Sequence, residues 1–156
     1  MDISEAIRSS YLAKGLSDQH IVALTQMATT RQYNAGDEIL VEGDNSRDLM
    51  ILAAGTAFVK TVVGDPIAYL RPGMPMGELA LLDEAPRSGT IVAQSECTVV
   101  VFPAENLHRI WLTNTDLAAR CLLNISRILC ARLRSANRNL AALMAVEEAE
   151  ADTTKH

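Results

Sequence analysis

The chain has 156 residues, 49% of them hydrophobic and 21% charged, which excludes a disordered chain and suffices to bury the core of one domain. A net charge of −5 and a pI near 5.1 argue against a nucleic-acid surface. No apolar run reaches the ~20 residues that a bilayer span requires.

The first segment, from Ile3 to about Thr29, repeats apolar residues at helical spacing (Ile3, Ile7, Leu12, Leu16, Ile21, Leu24), breaks at Gly15 and restarts at the N-cap Ser17-Asp18. Its opening MDISEAIRSS lacks the apolar centre of a secretion signal. From Tyr33 to Phe102 the text changes to short apolar runs divided by Gly, Asp, Asn and Pro. These runs predict strands over 37–42, 48–54, 56–63, 67–71, 89–95 and 97–102, with a hairpin turn at Val63-Gly64-Asp65-Pro66. Pro103 precedes a short helix, and Asn114-Thr115-Asp116 opens a long one running to about Glu150.

The expected fold is therefore α+β and mainly β: an antiparallel jelly-roll barrel flanked by N-terminal helices and a long C-terminal dimerisation helix. The domain covers 1–150, with N-terminal helices over 1–32, the barrel over 33–102 and the C-terminal helices over 104–150. Residues 151–156 form a polar tail, and the last ten residues, EEAEADTTKH, read as frayed or disordered. A start at Met1 and a polar end read as a complete small protein. The three cysteines, Cys97, Cys121 and Cys130, are odd in number and lack metal-ligand spacing, so they read as small buried hydrophobes in a reducing compartment. The expected location is the cytoplasm, with no membrane, no nucleic acid, no metal and no cofactor beyond a ligand.

Site chemistry concentrates between Met76 and Ala93. Gly77 lacks a Cβ and lets backbone approach a ligand. Leu79 to Leu82 can form a helical turn whose first amides face an anion. Glu78 suits sugar hydroxyls as an acceptor. Arg87 supplies a planar fork for a phosphate, and Ser88 adds a hydroxyl. Together these groups suit a ligand with one phosphate and one ribose; the competing reading is a loop with a surface ion pair.

On the long helix, Leu122, Leu129, Ala136 and Leu143 fall seven apart, beside the row Ser126, Leu133, Leu140 and Glu147. That is an a/d seam over about three heptads. The barrel can cover about half of such a helix, so the rest calls for a partner, most simply a second copy. An ordinary helix laid on its own core is the competing reading.

Met76-Gly77-Glu78-Leu79-Ala80-Leu81 and Arg87-Ser88-Gly89-Thr90-Ile91 resemble the phosphate-binding cassette of the cyclic nucleotide-binding domain family. That family includes the catabolite activator protein, regulatory subunits of cyclic-nucleotide-dependent kinases and cyclic-nucleotide-gated channels. Gly89 departs from the family's usual alanine. Tyr33 to Asp44, Leu49-Met50-Ile51-Leu52 and Gly55 resemble the family's first strands, with Ser46 at a usually smaller position. The likeness spans roughly residues 16–143. It implies a cAMP or cGMP receptor in which Glu78 takes the ribose, Arg87 and Ser88 the phosphate, and Met76, Gly77, Leu79, Ala80 and Gly89 complete the cassette. The resemblance also implies that the long helix closes the site, with Ala136 and Asn137 at base-contacting positions and Arg132 an added polar contact. In the catabolite activator protein branch that helix forms a parallel dimer, here through Leu122, Leu129, Leu133, Leu140 and Leu143. Ser88 leaves the choice of base open.

The ligand would move a hinge near Leu107–Ile110 and signal through a changed dimer surface to an unidentified protein partner. No helix-turn-helix pattern follows the long helix. The alternatives are a dimerisation module that needs no ligand or takes another effector such as a cyclic dinucleotide, and the sensory fragment of a longer transcription regulator. A metal enzyme on a small barrel is disfavoured, because His20, His108 and His156 all lie outside the predicted strands. The expected class is a binding protein, not an enzyme.

Overall fold

A computed structural model describes residues 1–153. Two helices and a short 3₁₀ turn come first: α1 (Ile3–Arg8), the turn Tyr11–Ala13 and α2 (Asp18–Met27). Asp2 caps α1 by accepting from the Ser4 amide at 3.0 Å. Ser17 caps α2 in a capping box whose returning member is a histidine: the His20 amide donates to Ser17 Oγ and the Ser17 amide donates to His20 Nδ1, both at 3.2 Å.

Eight strands follow: β1 (Thr29–Tyr33), β2 (Glu38–Leu40), β3 (Leu49–Ala54), β4 (Ala57–Lys60), β5 (Pro66–Leu70), β6 (Pro75–Met76), β7 (Thr90–Ala93) and β8 (Cys97–Phe102). A short helix α3 (Glu78–Asp83) interrupts them, and α4 (Ala104–Thr113) and α5 (Thr115–Thr153) close the chain. The strands pair antiparallel in two four-stranded sheets, ordered β1-β8-β3-β6 and β2-β7-β4-β5. Their inward residues make one core from both sheets, among them Met50, Leu52, Val99 and Val101 from the first and Ile39, Ala57, Leu70, Ile91 and Ala93 from the second. The α+β class, the antiparallel strands and the long C-terminal helix are as expected.

Alternation explains why β3 and β8 read as unbroken apolar runs. Met50 and Leu52 face the inter-sheet core, so Leu49 and Ile51 point to the other side, where α1 packs on β3 and β8. Both faces of these two strands are covered. The opposite case is β1, TTRQY, whose residues are exposed or half-buried on an edge. It carries no apolar alternation, and the sequence reading runs helix to about Thr29 and starts the strands later. The hairpin turn lies slightly earlier than expected: Thr61 donates to the Asp65 carbonyl at 2.8 Å, and Pro66 already opens β5.

The chain divides into two units, Met1–Asn124 and a second beginning at Ile125. Within the first unit, the opening turns of α5 hold the N-terminal segment. Asn124 Nδ2 donates to the carbonyls of Leu12 and Lys14, each at 2.8 Å. Arg120 Nη1 donates to the Gly15 carbonyl at 2.8 Å, and its Nε donates to Asp116, which also lies 3.3 Å from His20 Nε2. The second unit is helical through Thr153, past the expected end at Glu150 and through residues read as a frayed tail. Alanine and glutamate are strong helix formers, so Glu147 to Ala151 carry the helix despite their polarity. Residues 154–156, including His156 and the end of the expected tail, lie outside the described residues. Among the described residues no helix is long and apolar enough to cross a membrane.

Candidate nucleotide site

The site lies where β6 passes into α3 and where the chain returns to β7. Gly77 follows β6 with φ +80°, in the left-handed region that side chains rarely adopt, and opens α3. Glu84 ends α3, also left-handed at φ 58°. The Ala85 amide donates to Asp83 Oδ1 at 3.0 Å and turns the chain towards Arg87.

Arg87 is pinned by main chain and side chain together. Its amide donates to the Asp44 carbonyl at 2.8 Å, and its carbonyl accepts from the Gly43 amide at 2.9 Å. Its guanidinium donates in three directions: Nε to Ser46 Oγ at 3.1 Å, Nη1 to the Gly77 carbonyl at 2.9 Å, and Nη2 to the Asp48 carbonyl at 2.9 Å. A guanidinium has five N–H groups. One on Nη1 and one on Nη2 are not used by these bonds. The residue is only 3% exposed, and this burial pushes the guanidinium pKa down, while the carboxylates of Asp48, Asp44 and Glu78 push it up. It stays a cation, with carboxylates around it and donors to spare.

Neighbouring groups have distinct placements. Glu78 is buried in the first turn of α3 and within the electrostatic reach of Arg87. Met76 and Ala80 are buried, whereas Leu79 is exposed on α3. Ser88 is exposed beside Arg87. Gly89 is half-buried, and a Cβ there would meet Val59 Cγ1 at 3.5 Å, an ordinary contact. On α5, in the second unit, Arg132 is half-buried while Ala136 and Asn137 are exposed. Also on α5, Leu122, Leu133, Leu140 and Leu143 are exposed and Leu129 is half-buried.

The structure thus brings Gly77, Glu78 and Arg87 together around one guanidinium. It adds three residues the sequence reading did not assign to the site. Ser46, noted there only as an unusually large residue, accepts from Arg87 and donates to Asp44 Oδ2 at 3.0 Å. Asp48 holds Arg87 through its carbonyl and, through Oδ1, accepts from the Ala104 amide at the start of α4 at 3.0 Å. Asp44 holds the Arg87 amide through its carbonyl. The polar run from Asp44 to Asp48 between two strands was the available signal; its carbonyl contacts leave no trace in residue type. Among the described residues no group of three or more His, Cys, Asp or Glu is placed to hold a metal ion.

The comparisons with known proteins agree with this geometry. The cyclic nucleotide-binding domain family matches residues 30–114. Glutaminase 2 of Bradyrhizobium diazoefficiens is 30% identical over 146 residues, covering 92% of this chain and 23% of that protein. The cAMP-dependent protein kinase regulatory subunit of Neurospora crassa is 38% identical over 71 residues, covering 45% of this chain and 18% of that protein. The chain therefore spans about a fifth of the length of these relatives. The Thermus thermophilus catabolite activator protein superposes with a TM-score of 0.71 at 28% identity, over 86% of this chain and 63% of that one. On the family match across more than half its length and on this shared fold, the chain belongs to the cyclic nucleotide-binding domain family.

Proposed function

We propose that the domain is a receptor for a cyclic mononucleotide, cAMP or cGMP, and acts by binding rather than by catalysis. The observation that carries this reading is the buried Arg87 guanidinium, fixed by three protein acceptors with one further N–H on each Nη. Fixed in that way, it offers a phosphate a preorganised pair of donors at little entropic cost. Ser88 adds a hydroxyl, and Glu78 accepts from the ribose hydroxyl. Met76, Gly77, Leu79, Ala80 and Gly89 shape the wall of the cassette. The family resemblance assigns the base contacts to Arg132, Ala136 and Asn137. The Neurospora crassa relative, named as a cAMP-dependent regulatory subunit, supports cAMP as the first ligand to try.

Binding changes the protein only as far as the ligand prefers one conformation. Asp48 gives that preference a route: one residue joins the Arg87 guanidinium to the first turn of α4, which contains the hinge segment Leu107–Ile110. Output passes through a homodimer on Leu122, Leu129, Leu133, Leu140 and Leu143 to a protein partner in the cytoplasm. A thermal-shift screen against cAMP, cGMP and cyclic dinucleotides tests the reading, since a ligand that binds only the folded state raises Tm. A rise with cAMP or cGMP is expected. A rise with a cyclic dinucleotide alone assigns a different effector to the fold, and no shift with any of them overturns the receptor reading.

A further inference from the structure

The Arg87 guanidinium is surrounded by more negative charge than it can cancel. It is one cation, and the carboxylates of Asp48, Asp44 and Glu78 all act on it. Two of these have other tasks. Asp48 Oδ1 is turned to the Ala104 amide at 3.0 Å. Glu78 is buried in α3, where the receptor reading gives it the ribose.

Asp44 differs from both. It is exposed, and a single hydroxyl links its carboxylate to the guanidinium. Ser46 Oγ donates to Asp44 Oδ2 at 3.0 Å and accepts from Arg87 Nε at 3.1 Å. Main chain fixes the same pair, since the Asp44 carbonyl accepts from the Arg87 amide at 2.8 Å. Among the described residues no salt bridge involves Asp44, and the nearby Arg47 pairs with Glu84 at 3.8 Å instead. Its charge therefore stands beside the phosphate donor without a contact cation.

Such an arrangement sorts ligands by charge. Desolvating a phosphate costs more steeply than in proportion to its charge, whereas attraction to Arg87 rises only in proportion. A carboxylate that weakens the attraction thus penalises a doubly charged phosphate more than a singly charged one. We infer that Asp44 is a specificity-determining residue. Its carboxylate, held through Ser46, makes the Arg87 site take the singly charged phosphodiester of a cyclic nucleotide and turn away the doubly charged monoester of the ring-opened nucleotide. This inference rests on the receptor reading above.

Displacement titrations at pH 8 test it, because a phosphate monoester with a second pKa of about 6 then carries close to two charges. The parent and its variants are loaded with the cyclic nucleotide that the parent binds, cAMP or cGMP. Each is then titrated into the millimolar range with the 5′-monophosphate of the same nucleoside. The quantity read is the ratio of the monoester Kd to the cyclic Kd. Asp44→Asn keeps an oxygen for Ser46 and removes the charge, which at this range is worth about threefold in affinity per ligand charge. The ratio should therefore fall about threefold in that variant at low salt. The fall should shrink at about 1 M salt, where the Debye length is about 3 Å. Asp44→Glu keeps the charge and should keep the parent's ratio.

An Asp44→Asn ratio within about 1.5-fold of the parent's overturns the role of Asp44 and leaves the receptor standing. So does a fall that persists undiminished in high salt, an equal fall in Asp44→Glu, or failure of the monoester to displace the cyclic ligand from Asp44→Asn. A parent that binds neither cyclic nucleotide saturably overturns the receptor reading and this inference with it.

Discussion

Arg87 Nη1 lies 2.9 Å from the Gly77 carbonyl, and a Cβ on Gly77 would lie 2.5 Å from that same nitrogen. The glycine and the arginine, ten residues apart in sequence, are therefore one unit: the guanidinium occupies the space that any side chain at 77 would need. The Asp48 carbonyl is also close, 2.9 Å from the same Cβ position, so the crowding involves backbone as well as a side chain.

Gly77→Ala should destabilise the domain by at least ~2 kcal/mol, from a strained left-handed alanine and an overpacked guanidinium. It should also weaken nucleotide binding, because Arg87 must shift. Urea denaturation measures the first effect. A change below ~0.5 kcal/mol would contradict the packing described here.

Gly89→Ala should behave in the opposite way. The added methyl meets only Val59 Cγ1, at 3.5 Å, and Gly89 is not in the left-handed region. Stability should stay within about 1 kcal/mol of the parent, with any gain coming from a less flexible unfolded chain. Nucleotide affinity should be kept or improved. A tenfold loss in a calorimetric titration would show that the glycine is required, and not merely permitted, at this position.

Asp48→Ala removes the acceptor for the Ala104 amide and leaves the start of α4, whose N-cap is Pro103, without that side-chain bond. The expected cost is about 1 kcal/mol. Asp48→Asn keeps an oxygen in reach and should recover more than half of it. Equal losses in the two variants would mean that the carboxylate acts through charge on Arg87 and not as a cap.

Alkaline pH should weaken the fold through Cys121. Burial pushes its thiol from an ordinary value of 9.0 up to about 12. The native state then holds a proton that the unfolded chain gives up first, so this contribution is complete below about pH 9 and is lost as pH rises towards 12. Denaturation midpoints between pH 8 and 11 should fall, and Cys121→Ala should flatten that slope. A slope unchanged in Cys121→Ala would assign the alkaline loss to other groups.

Legibility from sequence followed the chemistry of each element. The buried strands β3 and β8 announced themselves through unbroken apolar runs, and the cassette through glycine, carboxylate and arginine in a fixed order. The strand β1 did not, because TTRQY pairs by backbone alone on an exposed edge. Arg87 was legible as a phosphate donor but not as an internal brace, since two of its three side-chain acceptors are main-chain carbonyls at Gly77 and Asp48. Carbonyls are present at every residue and carry no code. Asp48 was missed for a related reason: its carboxylate serves a helix that begins 56 positions later, a separation that spacing rules do not reach.

The most direct test of the account is isothermal calorimetry of the parent and of Arg87→Ala, with cAMP and cGMP and with circular dichroism to verify that the variant is folded. The parent should bind at least one of the two nucleotides saturably, with one site per chain. Loss of charge-assisted hydrogen bonds worth ~1.5–3 kcal/mol should weaken that binding by about 10- to 150-fold in the variant. No saturable heat from the parent with either nucleotide, or an unchanged Kd in the folded variant, would contradict the claim that Arg87 holds the phosphate of a cyclic nucleotide.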